Sequence, residues 1–369
     1  MSVPGIRDEI LKAQAYVAGK TIEEVKRDYG LTEVIKLGSN ENPYAPFPAA
    51  RQAMIDEIER INEYPDASFR DLRAMIGSRF GRDAASVAIG HGAGGILETL
   101  AATFLRSGDE VILPTQSYGL YREISKVAGA VVREAALNEH YTIDPDAMRE
   151  AITDRTKLIW LCNPNNPTGT IIDVAAYERL RDALPAHAWL VVDEAYAEFA
   201  AEDDLPATAR DLDTHNVVIV RTFSKAYGLA GGRIGYALAR PELITVIDTV
   251  SEPFNANRIG IAGARACLSD DREVIQSALA RICASRTYLE DALARRGLTV
   301  TPTHTNFVFF ESSVDADTLA DLMLRNGVIV RSAAAWGYPK HTRVTIGTED
   351  ENETFLQTLD NALAQLAKE

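Results

Sequence analysis

Apolar and polar positions follow a strand-then-helix rhythm over the first two thirds of the chain. Short apolar runs such as SVAI (86–89), EVIL (110–113), KLIWL (157–161) and VVIV (217–220) have the length and β-branched content of buried strands. Two further strands are predicted over 130–135 and 188–193. The stretches around these strands predict helices over 49–62, 68–80, 95–106, 118–128, 144–152 and 173–184. An amphipathic helix over 6–29, broken near Gly19, opens the chain, and a short strand leads into the Pro- and Asn-rich segment 34–48. Such alternation predicts an α/β fold: a mostly parallel sheet with helices on both faces, three layers in all. From about residue 241 the pattern changes to a long helical stretch over 255–296, then TVTPTHTNFVFFES, a strand with Pro302 at its edge. Helix 315–326, strands 328–331 and 342–346, and helix 350–367 complete a smaller α+β unit. The expected division is an N-terminal arm with part of the small domain (1–35), a large domain (36–245) and a small domain (246–369).

The 369 residues exceed the usual size of one hydrophobic core, in keeping with two domains. Net charge is −15, with no block of lysines and arginines to offset it, which argues against a nucleic-acid partner. An acidic chain that binds an anion must gather positive charge locally, so arginines at loop ends gain weight. Cys162, Cys267 and Cys283 have no paired spacing, which points to a reducing compartment and to neither a disulfide framework nor a metal site. The N-terminus carries charges where a signal peptide has an apolar core, and no run of 18 apolar residues occurs. The expectation is a cytoplasmic protein without a membrane span.

Lys225 follows the buried run VVIV, with Thr222 and Ser224 before it and Arg233 eight residues after it. Two hydroxyls and a guanidinium make an anion site. A lysine beside a phosphate site suggests a Schiff base with pyridoxal phosphate; the plain structural alternative is a lysine that closes the strand end. In an open α/β sheet, ligands bind at the carboxyl ends of strands, where four more loops collect. GHGAGG (90–95) lets backbone approach a phosphate at a helix N-terminus. It also fits a dinucleotide fingerprint, but Asp109 and Glu110 precede the next strand where a ribose-binding acid would end it. CNPNNPTGT (162–170) sets amide groups on a rigid backbone. Asp193 ends a buried strand and suits a pyridine nitrogen, or else caps the turn; Tyr196 lies three residues on. Tyr118, after EVILP, either stacks on a ring or packs.

These segments, with KLGSNENPYAP (36–46), Tyr64-Pro65-Asp66, NFVFF (306–310), GVIVRS (327–332) and TRVTIGT (342–348), occur in family order over nearly the whole chain. The chain resembles the fold-type I pyridoxal-phosphate-dependent aminotransferases, and within them the histidinol-phosphate aminotransferase family. The resemblance implies that Lys225 binds the cofactor and that Asp193 pairs its pyridine nitrogen, while Asn166 and Tyr196 contact its phenolate oxygen. It implies that Tyr118 stacks on the ring, and that Ala93, Gly94, Thr222, Ser224 and Arg233 hold the phosphate. Tyr64 would reach that phosphate across a homodimer interface. Arg343 would bind a carboxylate, with Tyr16, Asn40 and Arg331 helping to recognise the substrate. Two positions depart from the pattern: Gly94-Gly95 where an acidic pair is common, and Phe254 where a tyrosine is frequent. The implied reaction is transamination between histidinol phosphate and 2-oxoglutarate. Its rivals are an aromatic or other amino-acid aminotransferase, a pyridoxal-phosphate-dependent decarboxylase of phosphorylated amino acids, and a non-catalytic sensing domain.

Overall fold

The computed structural model of the protein describes residues 4–13 and 19–367. A seven-stranded sheet runs in the spatial order Val87–His91, Ile234–Leu238, Val217–Thr222, Trp189–Asp193, Thr156–Cys162, Glu110–Pro114 and Val131–Ala135. Every neighbouring pair is parallel except those made by Ile234–Leu238, which is antiparallel to both of its neighbours. The unbroken apolar runs are period-2 strands with both faces covered. Val217 and Ile219 enter one core, with Leu190 and Val192, while Val218 and Val220 enter a second, with Val191 and Trp160. All four side chains of Val217–Val220 are essentially inaccessible to water. Burial of such a side chain contributes about 1.5–3 kcal/mol, so the strand ends are held firmly.

A four-stranded antiparallel sheet carries the later part of the chain, in the order Arg331–Ser332, His341–Thr345, Phe307–Glu311, Thr299–Thr301. Beside it, Ile35–Lys36 pairs in parallel with Val328–Ile329. The segment that follows, 37–47, runs from this pair toward the large sheet's loops, with Asn42 donating to the Ala226 carbonyl at 2.9 Å.

The predicted elements recur with several differences. Of the opening helix 6–29 only Asp8–Lys12 and Ile22–Tyr29 are helical among the described residues, and Ala13 and Thr21 are extended. The strand Ile234–Leu238 and the helix Pro241–Val250 lie where no element was assigned. The stretch 255–296 is two helices, Arg258–Ser269 and Arg272–Arg295. Asp271 sits between them, and its carboxylate caps the helix Pro48–Ile58 by accepting from the Ala49 and Ala50 amides at 3.0 and 2.7 Å. TVTPTHTNFVFFES is a pair of antiparallel strands, because Pro302 falls in the connection between them. Strand 328–331 is split between two sheets, with Val330 at the switch. Among the described residues no helix is long and apolar enough to cross a membrane.

Candidate active site

The sheet's register brings the chemistry to one edge. Cys162 is opposite Asp193, Asp193 is opposite Val220, and Thr222 is opposite Gly235. The loops after these three parallel strands therefore open on the same side, and the loop after Val87–His91 joins them, since His91 is opposite Ile234. The antiparallel strand adds to them from its start: Arg233, just before Ile234, arrives where its parallel neighbours end, and its carbonyl accepts from Gly92 N–H at 3.0 Å. Arg233 holds a left-handed backbone, φ 50°.

Ser224, Arg233 and the helix Gly92–Phe104 form a cup. Thr222 Oγ1 donates to Ser224 Oγ at 2.9 Å and accepts from the Ser224 amide at 3.1 Å, which fixes that turn. Arg233 Nη1 is 3.4 Å from Ser224 Oγ and is anchored on the Ala230 carbonyl at 3.0 Å. The helix begins at Gly92 and not at 95, so Ala93 and Gly94 are in its first turn, whose N–H groups have no intrahelical acceptor. Gly92 has φ 68°, and a Cβ there would stand 2.5 Å from Arg233 Nη2. Only a bare backbone lets helix and guanidinium approach this closely.

Asp193 is buried, 4% exposed. One carboxylate oxygen accepts from the Ala195 amide at 3.1 Å and the other from the Tyr121 hydroxyl at 2.6 Å. Burial pushes this carboxyl up to about 6, and the two hydrogen bonds hold it from rising further. Lys225 is half-buried, and its Nζ donates to the Ser39 carbonyl at 3.0 Å. Desolvation, with the positive charges of Arg343 and Arg233 added, lowers its amine to about 8. The amine is thus far easier to deprotonate than an ordinary lysine, as a nucleophile needs.

The smaller sheet closes the site from the other side. Arg343, 6% exposed, donates to Asn166 Oδ1 at 2.6 Å and to the Gly38 carbonyl at 2.7 Å. Tyr196 OH accepts from Asn40 Nδ2 at 2.9 Å. Asn40, at φ 56°, is itself fixed by Thr345 and Asn306. Trp336 lies 5.6 Å from the Arg343 guanidinium and 5.8 Å from that of Arg331, and its indole N–H reaches the Ser117 carbonyl at 3.0 Å. Arg331 lines a cavity of about 300 Å³ with Gly38, Ser39 and Lys20.

The structure thus gathers Lys225, Asp193, Tyr196, Asn166, Asn40, Arg343 and the cup of Ala93, Gly94, Thr222, Ser224 and Arg233 around one edge. Tyr118 packs edge-on against Tyr121, with ring centroids 5.5 Å apart. Tyr64 is apart from this group within one chain, 78% exposed and stacked on Phe254 at 4.4 Å. Tyr16 lies outside the described residues. The dinucleotide alternative finds no support at Glu110, which is buried and paired with Arg133 and Arg155. Sequence reasoning missed Tyr121, Trp336 and the Ser39 carbonyl; only the aromatic character of the first two offered a signal.

The set fits pyridoxal phosphate: an anion cup, a buried carboxylate, a hydroxyl and a lysine of lowered basicity converge where the glycines leave room. A Cβ on Gly235 would stand 2.5 Å from Gly92 C, in backbone. Gly235→Ala is therefore expected to push the cup open and weaken cofactor binding about tenfold, in line with the roughly 1–3 kcal/mol of overpacking. Equilibrium dialysis measures this, and unchanged affinity would contradict it.

The fold and site define an aminotransferase. The chain belongs to the aminotransferase class I and II family, which matches residues 32–359. Among its relatives are the histidinol-phosphate aminotransferases of Bacillus licheniformis and Moorella thermoacetica. The first is 37% identical over 359 residues, covering 97% of this chain and 99% of the relative. The second is 39% identical over 365 residues, covering 98% and 94%. The crystal structure of histidinol-phosphate aminotransferase from Sinorhizobium meliloti in complex with pyridoxal-5'-phosphate matches with a TM-score of 0.90 at 28% identity, over 99% of each chain. An aspartate aminotransferase double mutant from Thermus thermophilus shares the fold, with a TM-score of 0.85 at 24% identity over 98% of this chain and all of the other.

Proposed function

We propose that the protein transfers the amino group of histidinol phosphate to 2-oxoglutarate, with pyridoxal phosphate as cofactor. The observation that carries this reading is the pair of guanidiniums, Arg343 and Arg331, both within 6 Å of the Trp336 ring, at 5.6 and 5.8 Å. One suits the carboxylate of glutamate and the other the phosphate of the phosphorylated amine. The near-full-length likeness to histidinol-phosphate aminotransferases supports the same substrate.

When bound, pyridoxal phosphate supplies the electron sink and carries the amino group between the two half-reactions. The chain's own groups do the rest. Ser224, Arg233 and the first turn of Gly92–Phe104 hold the phosphate, and Asp193 holds positive charge at the ring nitrogen. Asn166 and Tyr196 face the phenolate side. Lys225 Nζ would take the proton from the substrate carbon that bears nitrogen, as general base, and deliver it as general acid to the cofactor's C4′ carbon. Arg343 gives up its bonds to Asn166 and Gly38 when a substrate anion arrives. We read residues 36–245 as the large domain, with 1–35 and 246–369 supplying the small one, and place the protein in the cytoplasm as a homodimer. The exposed Tyr64–Phe254 stack supports the dimer, since it would bring Tyr64 to a partner's cup.

The visible absorbance of cofactor-loaded protein, titrated separately with histidinol phosphate, glutamate and phenylalanine, tests the substrate. Conversion by the first two and not the third is expected. Response to phenylalanine alone would make the protein an aromatic aminotransferase, and release of carbon dioxide would make it a decarboxylase.

A further inference from the structure

We infer that Tyr121 is a positioning residue for Asp193: its hydroxyl holds the carboxylate aimed and ionised, so that a protonated ring nitrogen binds there. The inference rests on pyridoxal phosphate as the cofactor. Tyr121 lies on the helix Leu120–Val127 and is wholly buried. Its ring stacks on Trp160 at 5.5 Å and 6°, and its own carbonyl accepts from Ser125 Oγ at 2.7 Å. Ser125 Oγ in turn accepts from Trp160 Nε1 at 3.1 Å. The phenol is therefore clamped in orientation by strand and helix together, and its O–H has Asp193 Oδ2 at 2.6 Å as acceptor. A hydrogen bond to a charged oxygen in a dry site stabilises the ionised form.

The other groups around Asp193 do not replace it. The Ala195 amide occupies the opposite oxygen. The Cys162 thiol stands across in the register, and burial pushes it up to about 12, so it stays neutral. Burial likewise keeps the Tyr196 hydroxyl protonated. Glu194 opposes the charge on Asp193, and Lys225, which favours it, loses its charge on binding a carbonyl. Tyr121 is thus the side chain whose support for the carboxylate persists when Lys225 is engaged.

The test compares the cofactor-free wild type with Tyr121→Phe, which keeps the ring on Trp160. The probes are pyridoxine 5'-phosphate, which has no carbonyl for Lys225, and its analogue with C–H in place of the ring nitrogen. Calorimetric affinities are taken from pH 5.5 to 8.5. Tyr121→Phe is expected to weaken pyridoxine phosphate about tenfold near neutrality. The acid limb of binding, where Asp193 gains its proton, should move up by roughly one to two pH units. The carbon analogue should bind both proteins within about twofold. Equal weakening of both probes, or no weakening of either, overturns the inference. Failure of wild type to bind pyridoxine phosphate at all overturns the cofactor reading itself, and the inference with it.

Discussion

Lys225→Ala is expected to lose at least about four orders of magnitude in turnover, and to lose the visible absorbance of the wild-type holoenzyme. Two roles end together in this substitution. On the proposed reading the amine joins the cofactor's carbonyl and then carries the proton at the reacting carbon, a role worth up to about 10⁴-fold by itself. The nearby described lysines are engaged elsewhere: Lys36 is paired with Glu41 at 2.8 Å and Lys20 with Asp28 at 3.2 Å, while Lys225 Nζ is seated on the Ser39 carbonyl. The surroundings also poise it, since an amine lowered to about 8 has a sizeable neutral fraction near neutrality, where an ordinary lysine has almost none. Steady-state assays with glutamate and 2-oxoglutarate, alongside spectra, measure the loss. A variant keeping even a few per cent of wild-type turnover would sink the assignment.

Asp193→Asn follows in size. The change is nearly isosteric and keeps one oxygen for the Ala195 amide, while the new NH2 group stands at the Tyr121 hydroxyl, whose oxygen can accept from it. What it removes is the negative charge, at a site where water cannot replace it. A buried pair broken on one side costs about 3–5 kcal/mol, which converts to roughly 10²- to 10⁴-fold in the step that needs the positive ring nitrogen. The phosphate cup is untouched, so the variant should still bind pyridoxal phosphate, more weakly, and fail in turnover. The comparison of kcat with cofactor affinity is the measurement. Equal losses in both, or turnover within a few-fold of wild type, would show that Asp193 only caps its turn.

Much of this site was legible because strands announce their ends. VVIV and LVVD are runs with both faces buried, and the residue after such a run stands at a sheet edge by geometry alone. Lys225, Asp193 and the CNPNNPTG loop could be placed from that. The strand Ile234–Leu238 could not: IGYAL is short, begins inside a glycine-rich segment and has no turn signal of its own. Its direction nevertheless puts Arg233 in the cup. Tyr121 was hidden for another reason, since one aromatic on a helix reads as packing until the strand it meets is known. The knot of Asn40, Tyr196, Asn306 and Thr345 joins positions distant in sequence, and no local pattern reports such a contact. The division of 255–296 depended on Asp271 caring for a different helix, again a tertiary fact.

That knot also sets an order of assembly during synthesis. Asn40 and Thr345 are 305 residues apart, which is roughly 15–60 s of translation. By the time Gly235 has left the ribosome, every residue of the phosphate cup exists, while Arg343 and Thr345 have still to be made. The residues proposed to seat the phosphate are thus made before the guanidinium proposed to meet the substrate, and the segment around Asn40 gains its bond to Thr345 only after 305 further residues.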